Sequence, residues 1–191
     1  MSIEPLKSHL SSELYETLKD TVTHHYVESE NPNHHWNFIE VKNQTVLDLG
    51  CGFHLIESGW QTTPEFFISK GAIKIIGVDP CGEDIYRLKQ MLPDHLFCID
   101  SISSAEQVEH YINDNNITSL KMDIEGYETC FIDSNNSFPT LKHIAIETHN
   151  KDLLNRLIYK LMEQEFTIKT VCTFYPEVYD VCNLVYASRE S

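Results

Sequence analysis

The sequence predicts an α/β protein built on a doubly wound, mostly parallel sheet with an antiparallel strand at its C-terminal edge. Three observations predict it. Val46-Leu47-Asp48-Leu49-Gly50-Cys51-Gly52 is an apolar, β-favouring run that stops at a glycine turn. Ile75-Ile76-Gly77-Val78-Asp79-Pro80 is a second such run, ending in a carboxylate. Strand-like and helix-like segments then alternate until two strands close the chain without a helix between them. Alternation requires crossover connections and hence parallel pairing, whereas the final strand pair can be antiparallel.

Taken in order, Leu14, Leu18, Val22 and Tyr26 recur every fourth residue behind Ser11, Ser12 and Glu13, which predicts an amphipathic helix over 12–26. Residues 28–36 are polar and broken by Pro32, so they read as a loop, with Trp36 a candidate lid residue. Strands are expected near 45–49, 73–78, 95–99, 119–122, 143–147, 166–173 and 180–187. Helices are expected near 60–70, 83–92, 104–115 and 125–133, with Pro93 stopping the second and Ser103 or Ser104 capping the third. Residues 151–165 carry Leu154, Leu157, Ile158 and Leu161 on one stripe and form the clearest helix. The chain divides into an N-terminal helix and loop (1–44) and the alternating domain (45–188), within one compact unit.

At 191 residues the chain can bury a core without disulfides. A formal net charge of −15 opposes binding to nucleic acid or to anionic membranes, both of which need a cationic face. A small-molecule acceptor is the expected partner. The six cysteines have no metal-ligand spacing and read as reduced structural thiols. With no apolar leader or spanning run, the expected location is the cytoplasm. Strands at the predicted antiparallel edge could pair two copies into a homo-oligomer.

The glycine turn decides between cofactors. A dinucleotide site needs a third glycine so that the helix can press onto the strand near a pyrophosphate. Here Leu55 stands at that position, which weakens NAD and FAD. S-adenosylmethionine carries no phosphate. It needs backbone approach, offered by Gly50, Cys51 and Gly52, and a carboxylate for its ribose, offered by Asp79 beside Pro80, with Asp48 also in reach. Asp100 and Ser101 end the third strand of this unit, beside the expected adenine. They serve it or cap the next turn.

Val46 to Gly52 resembles motif I of the class I S-adenosylmethionine-dependent methyltransferases. Lys121-Met122-Asp123-Ile124-Glu125-Gly126-Tyr127-Glu128, followed by a strand ending Glu147-Thr148-His149, is similar to the FkbM-type branch, which shows Lys-Ile-Asp-Val-Glu-Gly-x-Glu and then Glu-x-His. The resemblance covers roughly 45–187. It implies a Rossmann-like, seven-stranded sheet and methyl transfer to a hydroxyl on a sugar or similar acceptor. Asp79 replaces the family's usual glutamate, and His54 its usual third glycine.

In a parallel sheet, ligands bind beyond the carboxyl ends of the strands, so Asp123, Glu147 and His149 fall on the cofactor's rim. A hydroxyl needs a base, and imidazole has a suitable ordinary pKa. His149 is therefore the expected base, with Asp123 and Glu147 orienting acceptor or cofactor. Asp123 and Glu147 could also hold a divalent metal such as Mg²⁺, a lesser expectation. Asp123 and Glu125 could instead cap the following helix, with Glu128 solvated on it and Gly126 allowing helix to pack on strand. His24-His25 and His34-His35 lack zinc spacing and read as solvated or acceptor-facing.

Overall fold

The computed structural model describes residues 3–27, 35–52, 61–135, 137–174 and 182–190. The strands are β1 (Thr23–Val27), β2 (Thr45–Leu49), β3 (Lys74–Asp79), β4 (Leu96–Ile99), β5 (Ser119–Met122), β6 (His143–Thr148), β7 (Thr167–Phe174) and β8 (Asn183–Ser188). They form one eight-stranded sheet in the order β1-β7-β8-β6-β5-β2-β3-β4. β8 pairs antiparallel with β6 and β7, and the remaining pairs are parallel.

The helices are α1 (Ser12–Leu18), α2 (Thr63–Ser69), α3 (Gly82–Met91), α4 (Ala105–Asp114), α5 (Thr129–Ile132) and α6 (Lys151–Glu163). Local chemistry sets their ends. Thr62 with Glu65, and Ser104 with Gln107, form reciprocal capping boxes at the starts of α2 and α4. The Asn150 side chain accepts the Leu153 amide at the start of α6.

Successive strand side chains point to opposite faces, so the sheet carries two apolar layers. Leu47, Leu49, Ile76 and Val78 pack on the face covered by α1, α4, α5 and α6. Val46, Ile75, Phe67, Ile85 and Leu88 fill the other face, under α2 and α3.

The α/β class and the doubly wound, mostly parallel sheet stand as expected. Two details differ. The sheet has eight strands rather than seven, because residues 23–27 pair in parallel with β7 instead of continuing the helix predicted over 12–26. Thr21, Val22 and Thr23 are β-branched and stiff at χ1, which weakens a helix and suits a strand, so pairing wins over the every-fourth-residue stripe. The C-terminal antiparallel strand is seated between β6 and β7, leaving β1 and β4 as the sheet's rims.

The helix predicted over 125–133 shortens to α5, because Glu125 and Gly126 take φ of 54° and 96°. His24 is buried, with Nε2 2.9 Å from Thr173 Oγ1, and is not solvated as expected. The His25 ring lies tilted against Phe38, with centroids 4.8 Å apart. All six cysteines are free. Among the described residues no helix is long and apolar enough to cross a membrane. His54, Leu55, residues 28–34 of the loop expected over 28–36, and residues 175–181 before the last strand lie outside the described residues.

Candidate active site

From β2 the chain runs outward through β3 and β4, then returns to place β5 on β2's other side. Connections diverge at such a reversal, which opens a crevice at the carboxyl ends of the strands. A cavity of about 610 Å³ lies there, walled by Gly50, by Val78 to Cys81, by Asp100 to Ser103, and by Asp123 to Glu125 with Tyr127. Its described walls include Asp79, Asp100, Asp123 and Glu125, and none of them is basic.

The glycine turn is shaped by the protein's own atoms. Gly50 has φ +76°, and a Cβ there would sit 1.8 Å from the Asp123 carbonyl oxygen. A Cβ on Gly52 would lie 2.5 Å from the Asp79 carboxyl carbon. The Gly52 amide donates to Asp79 Oδ2 at 2.8 Å and the Cys81 amide to Oδ1 at 2.7 Å. Two amides thus fix the Asp79 carboxylate at the cavity wall. The room left by the missing side chains admits Asp123 and Asp79 themselves.

Of the eight residues expected around the cofactor, Gly50, Asp79, Pro80, Asp100 and Ser101 line the cavity. Asp48, Cys51 and Gly52 are not among its walls. Asp48 and Cys51 are fully buried, and Asp48 faces the Lys121 ammonium at 3.1 Å rather than the crevice. Asp100 makes a turn contact of the kind expected. It faces the cavity, accepts the Ser101 amide at 2.9 Å and takes the Tyr111 hydroxyl at 3.0 Å.

The structure brings Asp123, Glu147 and His149 together at the ends of β5 and β6. His149 Nε2 lies 3.8 Å from Glu147 Oε1 and 3.6 Å from Glu125 Oε2, and Nδ1 lies 3.3 Å from Glu128 Oε1. Glu128 is fully buried and also accepts the Gly126 amide at 3.2 Å, so it is not the solvated helix residue expected. Burial alone would raise its pKa. The His149 partner and the amides outweigh this and hold it low. Gly126 has nothing within 4 Å of a built Cβ, so packing does not explain it. Its φ of +96° does.

These neighbours change the chemistry expected of His149. The Glu128 carboxylate beside it raises its pKa to about 9, against the opposing effect of burial. An imidazolium held through neutral pH is a poor proton acceptor, which argues against His149 as the base. Glu147 is pushed up to about 7, by burial first and then by the Asp123 carboxylate. The Cys182 thiol donates to Glu147.

Two overlapping groups have ligand atoms within 4.8 Å of one another: Glu147, His149 and Cys182, and Asp123, Glu125 and His149. Nitrogen and sulfur donors depart from the oxygen shell that Mg²⁺ prefers, and the first group would suit a softer ion.

Sequence reasoning missed Lys121, Glu128, Cys182 and the packing of Trp36. Lys121 is buried, and its ammonium donates to the carbonyls of Gly50 at 2.6 Å and Leu49 at 3.3 Å. Burial disfavours its charge, but the Asp48 and Asp123 carboxylates outweigh that and raise its pKa. Trp36 is buried with its ring 5.0 Å from the ammonium, a core position rather than a lid. The available signal was a lysine inside a short buried strand. Glu128 ends the octapeptide quoted above but was read as solvated, and for Cys182 the sequence held no signal.

No protein-family model and no curated protein matches the chain. Solved structures do resemble it. A candidate hemolysin from Lactococcus lactis aligns over 79% of this chain and 80% of its own, at 10% identity and a TM-score of 0.52. A candidate RNA methyltransferase from Pyrococcus horikoshii aligns over 79% and 77%, at 16% identity and a TM-score of 0.49. An S-adenosylmethionine-dependent methyltransferase from Mesorhizobium loti aligns over 78% and 93%, at 15% identity and a TM-score of 0.47. At these identities the likeness is one of fold, and the fold is α/β and Rossmann-like.

Proposed function

We propose that the chain is an S-adenosylmethionine-dependent methyltransferase acting on a hydroxyl of a sugar or other small molecule. One observation carries the cofactor reading: an acid-walled crevice at the switch point of the sheet, with no basic residue among its described walls. A pyrophosphate would meet carboxylates there without a compensating cation, whereas a sulfonium and an ammonium are favoured by them. Asp79, oriented by two amides, holds the ribose hydroxyls. Asp100 and the backbone of Ser101 and Ile102 receive the adenine. The likeness of Lys121 to Glu128 and of Glu147-Thr148-His149 to the FkbM-type motifs supports the acceptor class, and the reading includes a cytoplasmic location.

In-line transfer requires the acceptor oxygen to be held roughly 3 Å from the methyl carbon, and it requires the proton to leave. Glu147 takes that proton. His149, charged and paired with Glu128, steadies the negative charge that develops on the acceptor oxygen as its proton passes to Glu147 and until the methyl is bonded, and Asp123 orients the acceptor. A second reading, transfer to an amine, is favoured by the same carboxylates, which would attract a cationic acceptor. Calorimetry tests the cofactor: S-adenosylmethionine should bind in a one-to-one complex and NAD⁺ should give no heat. Binding of NAD⁺ alone would overturn the reading.

A further inference from the structure

Lys121 is a large buried side chain with a full charge, placed where an apolar residue would complete the core at lower cost. Its ammonium has three oxygen partners, and two of them are the successive carbonyls of Leu49 and Gly50, where β2 bends into the glycine turn. The third is Asp48, on the same strand. Trp36 closes over it. The turn is otherwise fixed from the far side, because the Gly50 and Cys51 amides donate to the Val78 carbonyl at 2.9 and 3.3 Å.

One peptide plane orients both the Gly50 carbonyl and the Cys51 amide, so holding the carbonyl inward aims the amides that follow. We propose that Lys121 is a positioning residue for the cofactor: by holding the Leu49 and Gly50 carbonyls it sets the glycine turn, and Asp48 serves to keep the ammonium in place. The inference rests on the cofactor reading above. It assigns to the Lys121–Asp48 pair a role in ligand binding beyond mutual neutralisation.

A charge pair that only fills the core can be replaced as a pair. Lys121→Met alone strands the buried Asp48 and lowers stability whichever role is right. The double variant Lys121→Met, Asp48→Asn removes both charges together, and it discriminates.

The probe is S-adenosylhomocysteine, titrated by calorimetry into wild type and into the double variant, with thermal unfolding in parallel. The expected result is that the double variant regains most of the melting temperature lost by Lys121→Met, yet binds the probe roughly ten- to a hundred-fold more weakly, as the loss of charge-assisted bonds implies. Recovery of both stability and affinity to within about twofold of wild type, the scale of a contact that contributes nothing, would overturn the proposal.

If the double variant stays unstable, hydrogen exchange over residues 46–52 decides. Faster exchange at Cys51 and Gly52 with β2 still protected supports the proposal, and equal loss along the segment opposes it. A wild-type protein that does not bind the probe at all would instead sink the cofactor reading.

Discussion

Glu128 and His149 form a carboxylate–imidazole pair at 3.3 Å in which the carboxylate is wholly buried. Neither residue is on a long regular element. Glu128 is held under the rim by the reversal at Glu125 and Gly126, and His149 leaves the end of β6. The pair has a pH signature. With a folded pKa near 9 against an ordinary 6.5, His149 contributes stability that is fully present below pH 6.5 and is lost as the pH rises through 9.

Comparing wild type with His149→Gln therefore gives a stability difference on the order of 2 kcal/mol at pH 6, after allowance for partial exposure. The difference should shrink toward zero by about pH 10. Denaturant unfolding across this range checks it. Asp123, Glu125, Glu147 and Cys182 also offer atoms within 4.8 Å of the imidazole, so each variant needs its own pH series.

Gly50 tolerates no side chain. Gly50→Ala puts a Cβ 1.8 Å from the Asp123 carbonyl at φ +76°, so backbone must move. Destabilisation of roughly 3 kcal/mol or more is expected. Gly126→Ala meets only the backbone strain, since nothing lies within 4 Å, and should cost about 1 kcal/mol. Paired urea melts measure both.

Asp79→Asn replaces one of two oxygens that accept the Gly52 and Cys81 amides with a donor. One amide then faces an NH₂ group, and the ribose loses a charged acceptor. Affinity for S-adenosylmethionine should fall about ten- to a hundred-fold, as calorimetry would measure.

Glu147→Gln tests the proposed base. Wild-type kcat/KM should rise with pH through about 7 as the carboxylate ionises. The variant should lose that inflection and roughly 10²-fold or more in kcat, with little change in cofactor affinity. An unchanged profile would assign the proton to another group.

The sheet was largely legible in the sequence, and the rim was not. Thr45–Leu49 and Lys74–Asp79 are mostly apolar runs with clear stops, and buried strands leave that pattern whatever surrounds them. β1 was misread because Leu14, Leu18, Val22 and Tyr26 keep a helical spacing past the point where parallel pairing with β7 takes over. The places of Asp79 and Asp100 on the crevice wall followed from position at strand ends. The roles of Glu128, Lys121 and Cys182 depend on contacts between residues distant in sequence: Lys121 with the turn after β2, and Cys182 with Glu147 through the β6–β8 pairing. The same contacts raise the pKa of His149, whose ordinary value suits a base.

The central claim is most directly tested by a crystal structure grown with S-adenosylhomocysteine. The account predicts the nucleoside in the crevice over β2 to β5, its ribose hydroxyls on Asp79, its adenine beside Asp100 and Ser101, and its sulfur toward Asp123. An empty crevice under saturating ligand, or the nucleoside seated elsewhere on the protein, would contradict it.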